Sequence, residues 1–340
     1  MKTNLDFANA MSWYISGQYL EAYEICKKAL IAEPNNPRII QLKGELNFWM
    51  ENFDESLLDF KRVIEMDPNN HLAFYNIGMI KEEKGELQNG IKYLSEALRL
   101  KPDSEVYYLS RALIKKKLGD FFGAFMDLTE TIEINKWNTE AIYYRGIILK
   151  NLGDYSFSAR DFEKIPEDDP NYLSARLYLG VSLFLNQKVN EGLSEIGKLI
   201  KESPNFSQAY LERGKIYRYL NCYHKAIDDF SKKIEINPNL IEGYFERGLT
   251  QMKIWNYIDA MKDFMIVIEI DPYFAPGYLN MGLTKSWLTH HNEAISYYTK
   301  AIEIDPCYAD AWLKRGLSYK INGQIREYFS DVIRYRSLLN

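Results

Sequence analysis

The residues in this chain best suited to bind a metal are two adjacent histidines and a nearby glutamate, His290, His291 and Glu293. Imidazole and carboxylate groups are common zinc ligands, but a stable site needs three or four ligands on well-placed elements. The repeat pattern described below places these three in a turn and at the start of the helix after it. A solvated turn is the stronger interpretation, and we predict that the chain holds no metal and no other cofactor.

Residue sets typical of catalysis are missing from the sequence. There is no glycine-rich phosphate loop after a strand, no His-Glu-x-x-His pattern, and no cysteine that spacing brings beside a histidine. The three cysteines, Cys26, Cys222 and Cys307, are far apart and odd in number, which does not describe a disulfide framework. We therefore predict that the chain is not an enzyme and that it works in a reducing, cytoplasmic setting.

The charge balance argues against two classes of partner. The chain has 42 Lys and Arg residues against 47 Asp and Glu residues, a formal net charge of −5. An acidic chain is poorly suited to nucleic acid or to an anionic membrane surface. No apolar run approaches the length of a membrane span. We expect a partner that is neither nucleic acid nor membrane, and no membrane insertion.

Proline recurs at a fixed interval and sets the organisation of the whole chain. It occupies eight of the ten multiples of 34, namely 34, 68, 102, 170, 204, 238, 272 and 306. A constant period of this length indicates one small unit repeated ten times, stabilised by stacking on its neighbours. With each of these prolines at position 32 of its unit, the repeats start at residues 3, 37, 71, 105, 139, 173, 207, 241, 275 and 309.

The other positions of the unit predict a helix, a short turn and a second helix. Apolar residues follow a helical period on two segments, and only glycine or alanine occurs at position 8. Small residues at positions 8 and 20 let the two helices approach closely. Glycine near position 15 marks the turn in five repeats, and the proline at position 32 ends the second helix.

On these positions the sequence resembles tetratricopeptide repeats over its whole length. Repeat 10 shows the pattern in Trp312, Gly316 and Tyr319, and repeat 7 shows it in residues including Gly214 and Phe230. The resemblance implies an all-α fold, a right-handed superhelical solenoid of ten helix-turn-helix repeats. Because the proline series keeps its phase, we predict a single solenoid domain spanning residues 1–340.

Two repeats in the middle of the array depart from the pattern. In repeat 5, Pro166 is expected to shorten the second helix. In repeat 6, Gly192 and Gly197 lie in the second helix, where each is destabilising by about 1 kcal/mol relative to alanine. We predict that repeats 5 and 6 are the least stable part of the array.

Arginine at position 7 is accompanied by aspartate at position 23 of the same repeat in five repeats. Where position 7 is apolar, at Ile77 and Met281, position 23 is Tyr93 and Tyr297. A guanidinium is well suited to bind phosphate or carboxylate groups of a ligand. Because a buried arginine needs a partner, we favour an internal pair. The five pairs are Arg111 with Asp127, Arg145 with Asp161, Arg213 with Asp229, Arg247 with Asp263, and Arg315 with Asp331.

The resemblance implies that the first helices line a concave groove through positions 2, 5, 9, 12 and 13. These positions are largely apolar, with an acidic step at Glu82 and Glu83 followed by lysines. We take the groove as the candidate binding site for a partner peptide or helix that carries apolar residues and an acidic group. The candidate residues are Tyr14, Phe48, Trp49, Tyr75, Lys116, Lys117, Tyr143, Lys150, Phe184, Arg218, Tyr219 and Trp287.

Two peptide-binding patterns known in this family are not matched. The clamp for acidic chaperone tails needs lysine at position 5 and asparagine at position 9, and no repeat here has either. The asparagine ladder of the O-linked N-acetylglucosamine transferase needs asparagine to recur at position 6, where only Asn76 and Asn280 qualify. Neither binding mode is expected.

Other interpretations stay open. The apolar groove residues could simply pack between neighbouring first helices, with Glu82 and Glu83 neutralising Lys116 and Lys117. The favoured function is a protein-interaction scaffold or adaptor. The alternatives are a regulatory receptor for a small signalling peptide and, less favoured, RNA binding as in the related pentatricopeptide repeats. The terminal repeats leave room for self-association.

Overall fold

The computed structural model describes the backbone of residues 2–339 and the side chains of residues 7–339, and this part of the chain is all-α. Within it, none of the helices combines the length and the apolar character needed to cross a membrane. The helices are α1 Lys2–Ile15, α2 Tyr19–Ala32, α3 Pro37–Trp49, α4 Phe53–Met66, α5 His71–Glu83, α6 Leu87–Leu100, α7 Glu105–Lys117, α8 Phe121–Ile134, α9 Thr139–Leu152, α10 Tyr155–Phe162, α11 Tyr172–Leu185, α12 Val189–Glu202, α13 Ser207–Tyr219, α14 Tyr223–Ile236, α15 Ile241–Lys253, α16 Tyr257–Ile270, α17 Ala275–Trp287, α18 His291–Ile304, α19 Ala309–Ile321 and α20 Ile325–Ser337.

Consecutive helices form the pairs that the repeat pattern predicts. In eight of the ten repeats the first helix begins at the predicted start, and α1 and α11 begin one residue before it. In the repeats with proline at position 32 and a full-length second helix, that helix ends two residues before the proline, as in α14 with Pro238. The predicted all-α solenoid of helix-turn-helix repeats is confirmed.

Contacts between Cα atoms divide the chain into two compact units. The first comprises Met1–Ser182 and the second Leu183–Asn340, so the division falls inside α11. In each unit, helices of one repeat pack on each other and on the first helix of the next repeat. The core therefore runs along the stacked repeats of a unit and is not gathered at one centre.

The small residues at position 8 are required by the close approach of the paired helices. At Gly214, an added Cβ atom would lie 2.6 Å from the ring of Phe230 in the second helix. The Phe230 ring is fully buried there. A methyl group at Gly214 would push the ring away, so the sequence preference follows from packing.

All five predicted arginine–aspartate pairs are formed, and each is bidentate. In repeat 5, Arg145 donates from Nε to Asp161 Oδ2 at 2.7 Å and from Nη2 to Asp161 Oδ1 at 2.9 Å. In repeat 2, Lys43 contacts both carboxylate oxygens of Asp59, at 2.7 and 2.6 Å. The arginines hold the two helices of one repeat together, and the internal interpretation is confirmed. The remaining pairs are Arg111 with Asp127, Arg213 with Asp229, Arg247 with Asp263, and Arg315 with Asp331.

A third contact of these arginines was not predicted. Three of them also donate from Nη1 to a hydroxyl at position 25 of the preceding repeat. The guanidinium then joins three helices, because it bonds to its own second helix and to the second helix of the repeat before it. The bonds are Arg111 to Ser95 at 3.0 Å, Arg247 to Ser231 at 2.9 Å and Arg315 to Thr299 at 3.1 Å.

The residue type at position 25 correlates with position 7 of the following repeat. Before the five repeats with arginine at position 7 it is Ser95, Thr129, Gly197, Ser231 and Thr299, all small or hydroxylated. Before repeats without that arginine it is Lys27, Lys61, Glu163 and Met265. A comparison of position 25 with position 7 of the following repeat would have predicted this contact from the sequence.

The apolar version of the pair is also formed. Ile77 is fully buried, and Tyr93 packs against the same core cluster in repeat 3. Met281 and Tyr297 are joined in the same way in repeat 9. Positions 7 and 23 of a repeat are thus joined either by a bidentate ion pair or by an apolar contact of similar size.

The second helix of repeat 5 is short, as Pro166 predicts. Helix α10 has eight residues, whereas the other second helices have 13 or 14. Gly197 lies within α12, and an added Cβ atom there would meet nothing closer than Arg213 Nη1 at 4.0 Å. The helix shortening is confirmed, and the low stability of repeats 5 and 6 stays a prediction.

Every repeat passes through the left-handed backbone region at position 15, between its two helices. Five of these residues are glycines and five are not. Side chains with a Cβ atom are strained in this region, and bulky ones most of all. The non-glycine residues and their φ angles are Glu51 at 60°, Gln187 at 65°, Asn221 at 59°, Trp255 at 65° and Thr289 at 64°.

Candidate functional site

A cleft of about 880 Å³ lies in the second unit, on the side of the first helices of repeats 7, 8 and 9. Helices α13, α15 and α17, the turns after α13 and α15, and the first residues of α14 and α16 supply its walls. This volume is in the range of protein ligand sites. The lining residues are Lys215, Arg218, Tyr219, Asn221, Tyr223, Leu249, Met252, Lys253, Trp255, Tyr257, Asn280 and Trp287.

Aromatic side chains form one wall of the cleft. Trp287 lies parallel to Tyr257, with 6.4 Å between ring centroids, and Trp255 lies 6.5 Å from Trp287 at an angle of 66°. Tyr219, Trp255 and Trp287 are 76%, 73% and 60% exposed. Aromatic rings that are fixed by their neighbours and still open to solvent are well suited to receive an apolar group of a partner.

The polar part of the cleft is cationic. Among the described residues that line it, three are basic and none is acidic. Lys215 contacts Glu212 at 3.0 Å and Arg218 contacts Glu246 at 2.6 Å, while Lys253 has no ion-pair partner among the side chains of residues 7–339. An anionic group in the cleft would therefore meet at least one unneutralised cation.

Trp255 occupies the cleft at the expense of a strained backbone. It has a φ angle of 65° at the position where five other repeats use glycine. Its ring is 73% exposed, so burial of the ring contributes little stability. Ring contacts with Tyr257 and Trp287, both at 6.5 Å, offset part of this strain, and the rest of the ring is open to a ligand.

Four predicted groove residues lie in or beside this cleft. Arg218, Tyr219 and Trp287 line it. Phe184 packs edge-on against Tyr219, with 5.5 Å between ring centroids. Binding of a partner by these four residues stays a prediction.

The predicted residues near the amino-terminal end of the first unit pack on one another. Trp49 donates from Nε1 to Tyr14 Oη at 3.1 Å and stacks on Tyr19 at 6.1 Å. Phe48 packs edge-on against Trp49 at 5.8 Å. Glu45 lies nearby, and burial raises the pKa of its carboxyl. Trp49 is nevertheless 55% exposed, so a binding role for this residue stays a prediction.

The predicted tyrosines in the middle of the first unit are also engaged in packing. Tyr75 stacks on Tyr107 with 4.8 Å between ring centroids. Tyr143 is almost fully buried and meets the ring of Phe162 at 6.0 Å. Desolvation raises the pKa of both Tyr107, to about 12, and Tyr143. Neither predicted tyrosine offers an open aromatic face comparable with Trp287.

The predicted lysine patch is neutralised or covered. Lys117 contacts Glu82 at 2.6 Å, which matches the mutual neutralisation considered from the sequence. Lys116 lies over the ring of Tyr144 at 4.7 Å, and Lys150 lies over a tyrosine ring of the next repeat at 4.9 Å. Cation–π contacts still leave these two ammonium groups positively charged.

Sequence reasoning left out nine of the twelve lining residues, and five of those nine lie outside the helical stripe that it searched. Asn221 and Trp255 lie at position 15, and Tyr223 and Tyr257 lie at position 17, beyond the end of the first helix. A tryptophan where glycine is common was the signal that could have found it. Asn280, one of the two asparagines at position 6, lines the cleft and donates to the carbonyl of Pro276 at 2.8 Å.

The histidine pair considered for metal binding has other contacts. Glu293 contacts Lys285 at 2.7 Å and His290 Nδ1 at 3.3 Å. His291 Nδ1 lies 3.3 Å from Ser286 Oγ. Among the side chains described, those of residues 7–339, no group of three histidine, cysteine, aspartate or glutamate residues is arranged to hold a metal ion.

Comparisons with known proteins agree with the repeat assignment. Family models described as tetratricopeptide repeat match residues 49–105, 207–240, 275–306 and 297–327. A solved tetratricopeptide repeat protein from Parabacteroides merdae is 20% identical, with a TM-score of 0.54, over 83% of this chain and 98% of that one. At this identity the similarity shows the fold alone.

Two curated relatives match over short segments. FK506-binding protein 59 of Drosophila melanogaster is 28% identical over 79 residues, which is 23% of this chain and 18% of that protein. UDP-N-acetylglucosamine–peptide N-acetylglucosaminyltransferase of Caenorhabditis elegans is 31% identical over 74 residues, 22% of this chain and 6% of that protein. The chain thus spans less than a fifth of either relative. The repeat register, the paired helices and the family matches agree that this chain is a member of the tetratricopeptide-repeat proteins.

Proposed function

We propose that this chain is a protein-interaction scaffold that binds a peptide or helix of a partner protein in the cleft of repeats 7 to 9. Tetratricopeptide repeats are typical of such scaffolds. The observation that carries the proposal is the composition of the cleft: exposed aromatic rings beside three cations, with no acidic residue among the described lining residues.

The chemistry of the cleft indicates the chemistry of its partner. An aromatic or aliphatic side chain would pack on Tyr219, Trp255 or Trp287, which removes apolar surface from water on both sides. An acidic side chain nearby would pair with Lys253 or Lys215. We therefore expect peptides that combine one large apolar residue with one or more carboxylates.

A peptide array tests the proposal and needs no identified partner. Immobilised synthetic twelve-residue peptides of varied sequence would be probed with the purified chain and with the Trp287→Ala variant. The control is Trp137→Ala, since Trp137 is 88% exposed, belongs to the first unit and is outside the cleft. Both substitutions remove a tryptophan, so a general loss of surface stickiness would affect both.

The expected result is a set of acidic, apolar-containing peptides that bind the native chain and Trp137→Ala but lose at least about tenfold in affinity with Trp287→Ala. Equal binding by all three proteins would show that the cleft is not the site. Retention of no peptide by the native chain would refute peptide binding itself.

A further inference from the structure

A second cavity, of about 410 Å³, lies in the first unit at the junction of repeats 4 and 5. Helices α8, α9 and α10 supply most of its lining, and its volume is in the range of sites for small molecules. It shares no residue with the cleft of repeats 7 to 9. The lining residues are Phe125, Thr129, Arg145, Leu149, Asp154, Phe157, Arg160, Asp161 and Lys164.

Arg145 differs from the other four arginines at position 7 because no aromatic ring covers its guanidinium. In the other four repeats an aromatic residue at position 4 lies 4.8 to 5.8 Å from the guanidinium carbon. Repeat 5 has Ile142 there, and it has Leu149 at position 11, where repeats 7 and 10 place a tyrosine over the arginine. The rings at position 4 are Tyr108, Tyr210, Tyr244 and Trp312.

The outer edge of the same guanidinium is also without a partner in the described chain. Arg145 uses Nε and one Nη2 hydrogen for Asp161, which leaves the Nη1 group and the second Nη2 hydrogen. At three other junctions Nη1 donates to the hydroxyl at position 25 of the preceding repeat, but Arg145 makes no such bond to Thr129. Thr129 and Arg145 both line the cavity instead.

The unpaired Nη1 group of Arg145 is accessible. Among residues 7–339, the polar side-chain atoms that are both buried and unpaired belong to Asn47, Glu246 and Gln251. Nη1 of Arg145 has no partner and is not one of these atoms, so it is open to solvent. Because Arg145 lines the cavity, a ligand there can reach this donor.

Apolar side chains form much of the remaining lining. Phe125 is half-buried and Leu149 is buried, while Phe157 is 57% exposed. Arg160 lies over the ring of Phe157, 5.4 Å from its centroid. An apolar group that entered the cavity would remove these surfaces from water.

The charges of the lining sum to one positive charge, from three basic and two acidic residues. Asp161 is shared by two of the cations, since Arg145 binds it in a bidentate pair and Lys164 contacts it at 3.1 Å. Arg160 has no ion-pair partner among the side chains that the structure describes, and Asp154 is exposed. A single carboxylate would therefore neutralise the cavity.

We propose that this cavity binds a small monocarboxylic acid with an apolar body. The carboxylate binds the outer edge of Arg145, whose two parallel N–H groups match the two oxygens of one carboxylate. The apolar body packs on Leu149 and Phe157. The site is separate from the peptide cleft, so either proposal can fail without the other.

Phenylacetate is the probe for this site, and phenylacetamide is its neutral counterpart of the same shape. Binding of each to the full chain is measured by saturation-transfer NMR titration. The variant Leu149→Tyr restores the residue type that repeats 7 and 10 have at position 11, so it covers the guanidinium and keeps the pair with Asp161. Its matched control is Leu152→Tyr, on the same helix, 44% exposed and outside the cavity.

A second pair of variants removes an exposed ring and needs no change in the core. Phe157→Ala takes away part of the apolar wall of the cavity. Phe122→Ala is its control, because Phe122 is 69% exposed on α8 and does not line the cavity. Circular dichroism shows whether each of the four variants is folded.

We expect the native chain to bind phenylacetate at least about tenfold more tightly than phenylacetamide. Leu149→Tyr and Phe157→Ala should each weaken phenylacetate binding by at least about fivefold. The two controls, and Trp287→Ala in the cleft, should bind phenylacetate as the native chain does.

Three results would overturn this site and leave the cleft proposal standing. They are no binding of phenylacetate at millimolar concentrations, equal affinity for the acid and the amide, and undiminished binding by Phe157→Ala or by a folded Leu149→Tyr. Loss of binding in Trp287→Ala alone would assign the probe to the cleft, which also overturns the site. If Leu149→Tyr does not fold, Phe157→Ala decides.

Discussion

Replacement of Trp255 by glycine separates the binding role of this residue from a structural one. Trp255 holds a left-handed backbone conformation, with φ at 65°, and its ring is 73% exposed in the cleft. If the ring serves the ligand and not the fold, its removal should weaken binding without unfolding the repeat. Thr289 offers a matched control, because it has φ at 64° at the same repeat position and is outside the cleft.

The expected change in stability follows from three terms. Relief of left-handed strain contributes about 1 to 2 kcal/mol. Glycine loses about 0.5 to 1 kcal/mol through its freer unfolded state. The exposed ring contacts with Tyr257 and Trp287, both at 6.5 Å, are worth about 0.5 kcal/mol each. The terms nearly cancel, so we expect Trp255→Gly to stay within about 1 kcal/mol of the native chain.

Thr289→Gly releases the same strain without losing ring contacts, and we expect it to gain about 0.5 to 1 kcal/mol. Urea unfolding followed by far-ultraviolet circular dichroism measures both variants. Affinity for a peptide selected on the array is measured on the same samples. Trp255→Gly should lose at least about tenfold in affinity, and Thr289→Gly should bind as the native chain does.

Two results would refute this reasoning. A loss of stability near the 3 to 5 kcal/mol typical of a buried tryptophan would show that Trp255 supports the fold. Unchanged affinity in Trp255→Gly would show that its ring does not contact the ligand. A loss of affinity in Thr289→Gly would indicate that the substitution acts through the turn and not through the ring.

Two further predictions concern the arginine junctions, and urea unfolding measures both. Gly197→Ser should stabilise the chain by about 1 kcal/mol or more, because serine favours the helix over glycine and can accept a hydrogen bond from Arg213. Gly197→Ala measures the contribution of helix propensity alone. If the serine variant is no more stable than the alanine variant, the hydrogen bond to Arg213 is not formed. Arg247→Ile should lower the free energy of unfolding by about 3 kcal/mol, because it leaves Asp263 buried and unpaired. The double variant Arg247→Ile with Asp263→Tyr should recover most of that loss. If it does not, an apolar pair cannot replace the ion pair at this place.

Features that can be recognised by comparing the repeats with one another were predictable from the sequence. The helix pairs, their starts and the shortened α10 followed from proline and glycine positions, because these residues restrict the backbone locally. The arginine–aspartate pairs followed from their occurrence together in single repeats. Each of these inferences used the repetition within one chain as a substitute for an alignment.

The cleft depends on differences between repeats, and these were harder to predict. Trp49 and Trp287 both lie at position 13, yet Trp49 is bonded to Tyr14 whereas Trp287 lines the cleft. Their surroundings come from neighbouring repeats, which a single register position does not describe.

The hydroxyl at position 25 limits how such an array can change in length. Unequal recombination usually adds or removes whole repeats, and a loss of residues 275–308 would place Met265 before Arg315 in the position that Thr299 now holds. The guanidinium would then lack one of its acceptors at the new junction. Repeats 3 and 4, 7 and 8, and 9 and 10 are better regarded as linked pairs, so that viable duplications and deletions should preserve them together.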